Sequence, residues 1–145
     1  MSNDERYNFN WESYYSASNN QKYDIINQIR KLEGTEEDSV IEKLQEDWEK
    51  VQSDGEDPAL NEKFSNEIEK FNERKERVTK SITSKQELIE KVKKVKDSDD
   101  FYNTAETLKE YQSQWRDLGY SGKKMNDQLW EEFSALNDYF FNRRN

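Results

Sequence analysis

Gln114–Phe133 reads QWRDLGYSGKKMNDQLWEEF, and its centre, GYSGKK, decides between two folds. A phosphate-binding loop has the form G-x-x-x-x-G-K-S/T and joins a buried strand to a helix, so that backbone N–H groups surround the phosphate. Here Gly119 and Gly122 stand three apart, and Lys124 takes the hydroxyl position. The flanks are helical in spacing. Tyr102, Ala105, Leu108, Tyr111, Trp115 and Leu118 recur every three or four residues before the corner. Met125, Leu129, Trp130, Phe133, Leu136, Tyr139 and Phe140 do so after it. The stretch reads as a corner between helices, with Gly119 as the C-terminal glycine of one and Lys123 opening the next. A weak anion site at the second helix's N-terminus stays open.

The same period extends along the chain. Ser18-Asn-Asn-Gln21 fits a capping box ahead of Ile25, Ile26, Ile29 and Leu32, and Gly34 supplies a stop. Thr35-Glu-Glu-Asp38 is expected to open a second helix with Val40, Ile41, Leu44, Trp48 and Val51 on its face. Asp57-Pro58 reads as N-cap and first helical residue. From Pro58 toward Lys96, Phe64, Ile68, Phe71, Val78, Ile82, Ile89 and Val92 alternate four and three apart, with Lys75 and Lys85 in the two remaining seam positions. That is a coiled-coil-like spacing. We expect one helix of roughly 35 residues; a kink or break near Ser81–Ser84 is the alternative, because Ser84-Lys-Gln-Glu87 is itself a capping box. KDSDD (Lys96–Asp100) caps the next helix. Tyr7, Trp11, Tyr14 and Tyr15 suggest a short aromatic helix at the N-terminus.

Composition agrees with a helical chain. Only 31% of residues are apolar and 38% are charged, yet aromatics reach 13%, with four glycines and one proline. Helix interiors avoid Gly and Pro. Absence of cysteine and histidine removes disulfides, thiolate ligands, a Cys nucleophile and the commonest general base. The acids Glu36, Glu37, Asp38 and Glu42 lack the histidine partners of a helical di-metal site and read as a solvated face. No metal, cofactor or catalytic residue is expected, and an enzyme is not. Nothing resembles a signal peptide or a membrane span, so a cytoplasmic location is expected.

The two halves align with each other. Ile25, Ile26, Ile29 and Leu32 match Leu88, Ile89, Val92 and Val95 at an offset of 63. Leu44, Trp48 and Val51 match Tyr111, Trp115 and Leu118 at 67; Leu60, Phe64, Phe71, Arg74 and Lys75 match Leu129, Phe133, Phe140, Arg143 and Arg144 at 69. The fold class is therefore all-α: an elongated helical bundle of two three-helix repeats joined through a long, coiled-coil-like central helix. Residues 1–19 form the aromatic N-terminal segment, 20–83 a degenerate first repeat and 84–145 the second.

Three motifs of the second repeat carry a family resemblance: Trp115-Arg-Asp-Leu-Gly119, Leu129-Trp130-Glu-Glu-Phe133 and Phe140-Phe141-Asn-Arg143-Arg144. Lys85–Asn145 resembles a complete repeat of the bacterial domain-of-unknown-function family 349, and about Lys22–Glu76 resembles a degenerate copy. The degenerate copy keeps Trp48 but has Asn61 in place of Trp130. The resemblance implies a helical fold and tandem bacterial cytosolic repeats, and no established activity.

Trp48, Trp115, Trp130, Phe71, Phe133 and Phe140 are expected in the core. Trp11, Tyr14 and Tyr15 either cover the bundle end or present a partner face. The net charge of −9 is unevenly spread: residues 22–57 carry −7 and residues 58–96 carry +4. Lys70, Arg74, Arg77, Lys80, Lys91, Lys93 and Lys94 form the candidate interaction surface of the central helix. They neutralise acidic neighbours or contact phosphates. A scaffold or adaptor with a protein partner is the leading expectation. An RNA- or ribosome-associated factor is the alternative, and an acidic nucleic-acid mimic acting through residues 36–57 the second. Monomer or dimer is not readable from the sequence.

Overall fold

A computed structural model describes residues 11–53 and 55–144, with side chains from residue 17 onward. The described residues form five α-helices and no strand, so the fold is all-α. They are α1 (Trp11–Arg30), α2 (Asp38–Gln52), α3 (Pro58–Val95), α4 (Phe101–Asp117) and α5 (Lys123–Arg144). Two compact units share α3. Unit 1 comprises the chain through Leu32 together with Glu36–Asn72; unit 2 comprises Glu33–Thr35 and Glu73–Asn145.

α3 runs unbroken for 38 residues through Ser81–Ser84. Ser84-Lys-Gln-Glu87 is no helix start, and neither is Ser18-Asn-Asn-Gln21, which lies inside α1. A capping side chain is useful only where backbone N–H groups lack an i−4 partner, and in both places the preceding turn is already helical. Ser81 instead donates to the Gly119 carbonyl at 2.5 Å. The expected start of α2 also moves. Its N-cap is Glu37, with no side-chain cap, while Thr35 Oγ1 donates to Glu33 Oε2 at 3.3 Å. Two caps stand where the sequence puts them. Asp57 Oδ1 accepts from Ala59 N–H at 3.0 Å, and Asp100 Oδ1 from Asn103 N–H at 3.2 Å.

Each unit has its own apolar core. Ile25, Ile26, Ile29, Leu44, Trp48, Leu60 and Phe71 form that of unit 1. Leu88, Ile89, Val92, Ala105, Leu108, Trp115, Leu129, Phe133 and Phe140 form that of unit 2. The same stacked pair sits at the centre of both. Trp48 and Phe64 rings lie 4.1 Å apart and 5° from parallel; Trp115 and Phe133 lie 4.2 Å apart at 4°. Aromatic pairs of this kind bury large areas and fix the spacing of the helices that carry them. Trp130 departs from expectation: it is 54% exposed. Phe133, one turn further on, takes the stacking position against Trp115, so Trp130 reaches that ring only at 6.2 Å and a tilt of 55°.

Neither Gly34 nor Gly119 is a left-handed stop directly after its helix. α4 ends at Asp117 with Leu118 as an extended C-cap. Gly119 is not left-handed; Gly122 is, at φ 87°. Gly34 has φ 101°, and a Cβ there would meet Lys75 Cα at 2.8 Å, so the corner needs glycine for both conformation and space.

Candidate interaction surfaces

Two buried lysines organise the loops that precede the third helix of each unit. Lys22 is 1% exposed, and its Nζ donates to the Gly55 carbonyl at 2.7 Å from above the Trp48 ring. Lys85 is 5% exposed and does the same work in unit 2. Its Nζ lies 5.4 Å from the Trp115 ring centre and donates to Gly119 O, Ser121 Oγ and Asn126 Oδ1, each at 3.1 Å. Burial pushes the Lys85 ammonium below its ordinary pKa. Each lysine lies along the apolar face of its helix, and its charged end crosses the tryptophan to reach a loop carbonyl. Lys85 was legible only as a seam position. Lys22 was missed, although the offset of 63 that pairs Ile25 with Leu88 also pairs Lys22 with Lys85.

The anion position at the start of α5 is filled from within the chain. Glu33 Oε1 accepts from Lys123 N–H at 3.2 Å and from Tyr120 Oη at 2.7 Å. A carboxylate at a helix N-terminus is favourable because the backbone N–H groups there are free and the dipole is positive. The bond to Glu33 raises the Tyr120 pKa. Gly122 leaves no room beside this corner, since a Cβ there would meet Thr35 Cγ2 at 2.6 Å. GYSGKK is therefore a helix corner closed by Glu33.

A groove runs along the second and third helices of each unit, and the two differ in chemistry. In unit 1 it is lined by Gln45, Glu49, Asn61 and Ser65, and Gln52 donates across it to Asn61. At the same offsets, the groove of unit 2 has Gln112, Arg116, Trp130 and Ser134. An acid has become a cation, and a bridging amide has become an exposed tryptophan. The Arg116 guanidinium is anchored by Nε to the Gln112 carbonyl at 3.4 Å. On the floor, Gln112 donates to Asn137 Oδ1 at 3.1 Å, and Asn137 donates to the Phe133 carbonyl at 2.7 Å.

The basic residues of α3 are spread along the helix. Lys70 is exposed in unit 1. In unit 2, Arg74 is half-buried, and Arg77 and Lys80 are exposed one turn apart. Lys91 and Lys94 follow only after about 16 Å of helix. Lys91 covers the Tyr111 ring at 5.8 Å. Lys93 pairs with Glu90 at 3.2 Å and Glu132 at 3.3 Å, and these bonds raise its pKa. Arg77, Lys80 and Lys94 make no ion pair among the described residues. The side chains of Trp11, Tyr14 and Tyr15 lie outside the described residues. Trp48, Trp115, Phe71, Phe133 and Phe140 are buried.

Among the described residues no group of three or more acidic side chains is placed to hold a metal ion, and no helix is long and apolar enough to cross a membrane. No curated protein and no solved structure matches the chain. A family profile does match, over residues 57–124. That span starts at α3 and ends at the first turn of α5, so it is framed differently from Lys85–Asn145. A helix shared by both units gives the repeat no unique starting point, and a frame that opens on α3 is as natural as one that opens at Lys85. That match, over just under half of the chain, is to the family described as Domain of Unknown Function (DUF349).

Proposed function

We propose that the protein is a non-enzymatic, cytoplasmic scaffold or adaptor, and that unit 2 holds a protein partner in the groove between α4 and α5. The observation that carries this reading is Trp130. It is exposed beside Arg116, at the position where unit 1 has Asn61 bonded to Gln52. Exposed Trp and Arg contribute a disproportionate share of binding energy at protein interfaces. Large aromatic surface left in water is unfavourable unless something covers it.

The test is affinity capture from the source cytosol with the wild-type chain, Trp130→Ala and Arg116→Glu. Both positions are exposed, so the variants keep the fold. A defined set of proteins held by the wild type and lost by both variants supports the reading. Identical capture by all three refutes it, as would turnover that depends on a single carboxylate.

A second reading, binding to RNA or a ribosomal surface, is favoured by Arg77, Lys80 and Lys94, which are exposed cations without an ion pair among the described residues. It requires retention on RNA that falls steeply with salt and on charge reversal at these residues. Absence of retention at low salt removes it.

A further inference from the structure

The unit 2 groove is electrically polar along its length, and this restricts what it can hold. Arg116 and Trp130 occupy one end, because Trp130 faces Trp115, the neighbour of Arg116. Asp138 occupies the other end, at the level where Gln112 meets Asn137. Trp130 and Asp138 are eight residues apart on one helix, or about 12 Å. Between them the floor is Phe133 and the hydrogen-bonded Gln112–Asn137 pair. The two charged side chains are both exposed. Among the described residues only the Nε of Arg116 is engaged, so the terminal nitrogens can take a carboxylate side-on.

We infer that the groove binds a short extended peptide segment of a partner protein with a defined charge order. An acidic side chain lies against Arg116, and an adjacent aromatic or aliphatic side chain covers Trp130. A basic side chain meets Asp138. An extended chain advances about 3.3 Å per residue, so the basic residue stands three or four positions from the acidic one. A nucleic-acid strand fits less well, because Asp138 opposes phosphates at one end of the same groove. The unit 1 groove is excluded from the same role by Glu49 at the arginine position and by the Gln52–Asn61 bond. The inference rests on the scaffold reading of this groove and adds the chemistry of the bound segment.

The probe is the blocked peptide acetyl-Asp-Phe-Gly-Ser-Lys-amide, titrated into the isotope-labelled full chain while the Trp130 indole N–H resonance is followed. Trp130→Phe assigns that resonance. We expect a saturable shift with a dissociation constant on the order of 1 mM, as befits one ion pair and one aromatic contact. Replacing the peptide's Asp by Asn, or Arg116 by Glu, weakens binding about tenfold. A peptide with Lys in place of its Asp recovers binding to Arg116→Glu. No Trp130 shift up to about 10 mM peptide overturns the inference. Equal binding of the Asn peptide overturns it as well, as does a shift confined to Trp48. If cellular capture depends on Trp130 while the peptide fails to bind, the peptide chemistry is wrong and the scaffold reading stands. If the peptide binds and capture ignores Trp130, the reverse holds.

Discussion

Replacing Lys85 by methionine tests whether a buried cation stabilises unit 2. The substitution keeps the length of the side chain and removes its charge. In the wild type, Nζ donates to three oxygens at 3.1 Å. None of the three is orphaned by the change. Gly119 O still accepts from Ser81 at 2.5 Å, and Ser121 Oγ still donates to Asn126 Oδ1 at 2.7 Å. The loss is therefore that of charge-assisted bonds, about 1.5–3 kcal/mol for the strongest, less the desolvation relieved when the ammonium is removed. We expect a net destabilisation of about 2 kcal/mol, which moves a urea midpoint by about 1 M at a typical slope. Lys85→Ala loses the buried stem too, and falls by about 2 kcal/mol more. Lys22→Met is milder, at about 1 kcal/mol, because Gly55 is exposed and water can replace the single bond to its carbonyl. The pH dependence gives an independent check. Burial lowers the folded pKa of Lys85 below the unfolded value of 10.5. In that window the unfolded chain binds more protons, so stability rises with pH. The gap between wild type and Lys85→Met should widen from the lowered folded pKa up to 10.5 and then stay constant. A Lys85→Met protein as stable as wild type, or more stable, would refute the argument, since desolvation would then outweigh the three bonds.

Trp115→Ala should cost about 3–5 kcal/mol by urea unfolding, and Trp130→Ala less than about 1 kcal/mol, because only the first removes a buried ring. Gly34→Ala should cost about 2–3 kcal/mol, since it meets α3 backbone that cannot yield. Gly122→Ala should cost less; its neighbour is the Thr35 methyl, so adding Thr35→Ser should restore part of the loss in a double-mutant cycle. Tyr120 should ionise above the ordinary tyrosine value of 10.0 because its hydroxyl donates to Glu33. Its contribution to stability is present below pH 10.0 and disappears as pH rises through the raised folded value. Ultraviolet titration of wild type against Tyr120→Phe reads that tyrosine directly, and a difference spectrum centred at or below the ordinary value contradicts the bond.

Local period and composition made the helices legible, while side-chain competition at each corner was not. Alternating apolar spacing located α3 and the faces of α2, α4 and α5, because a 3.6-residue period is a property of consecutive residues. Caps were legible where a single short side chain decides them, as at Asp57 and Asp100. They failed at Ser18 and Ser84, where the preceding turn is already helical, and at Thr35, whose hydroxyl donates to Glu33 instead. Trp130 was misplaced because Leu129, Trp130 and Phe133 compete for one core face. Leu129 and Phe133 point inward, and Phe133 fills the place against Trp115, which leaves the larger Trp130 ring outside. The groove was not legible at all, since Arg116 and Trp130 lie fourteen positions apart and meet only when α4 and α5 pack.

The two units are most informative as a comparison of one framework with two surfaces. The positions they share are structural: the buried lysine over the tryptophan, the ring stacked beneath it, and the carbonyl that the lysine holds. The positions where they part are at the surface: Glu49 against Arg116, and Asn61 against Trp130. Charge follows the same division. Unit 1 contains 8 Lys/Arg and 17 Asp/Glu, whereas unit 2 contains 15 of each. A purely structural duplication gives no reason for a polar bridge to become an exposed tryptophan, because the core pair beneath it is unchanged. Binding gives one: the framework fixes α4 against α5 to within the tolerance of a stacked ring pair, and the groove above it is free to differ. Transplanting the surface alone separates these accounts. Glu49→Arg with Asn61→Trp in unit 1 should leave stability within about 1 kcal/mol and create a second site for the same peptide. Failure of that site to appear, with the fold intact, would place the determinants elsewhere in unit 2.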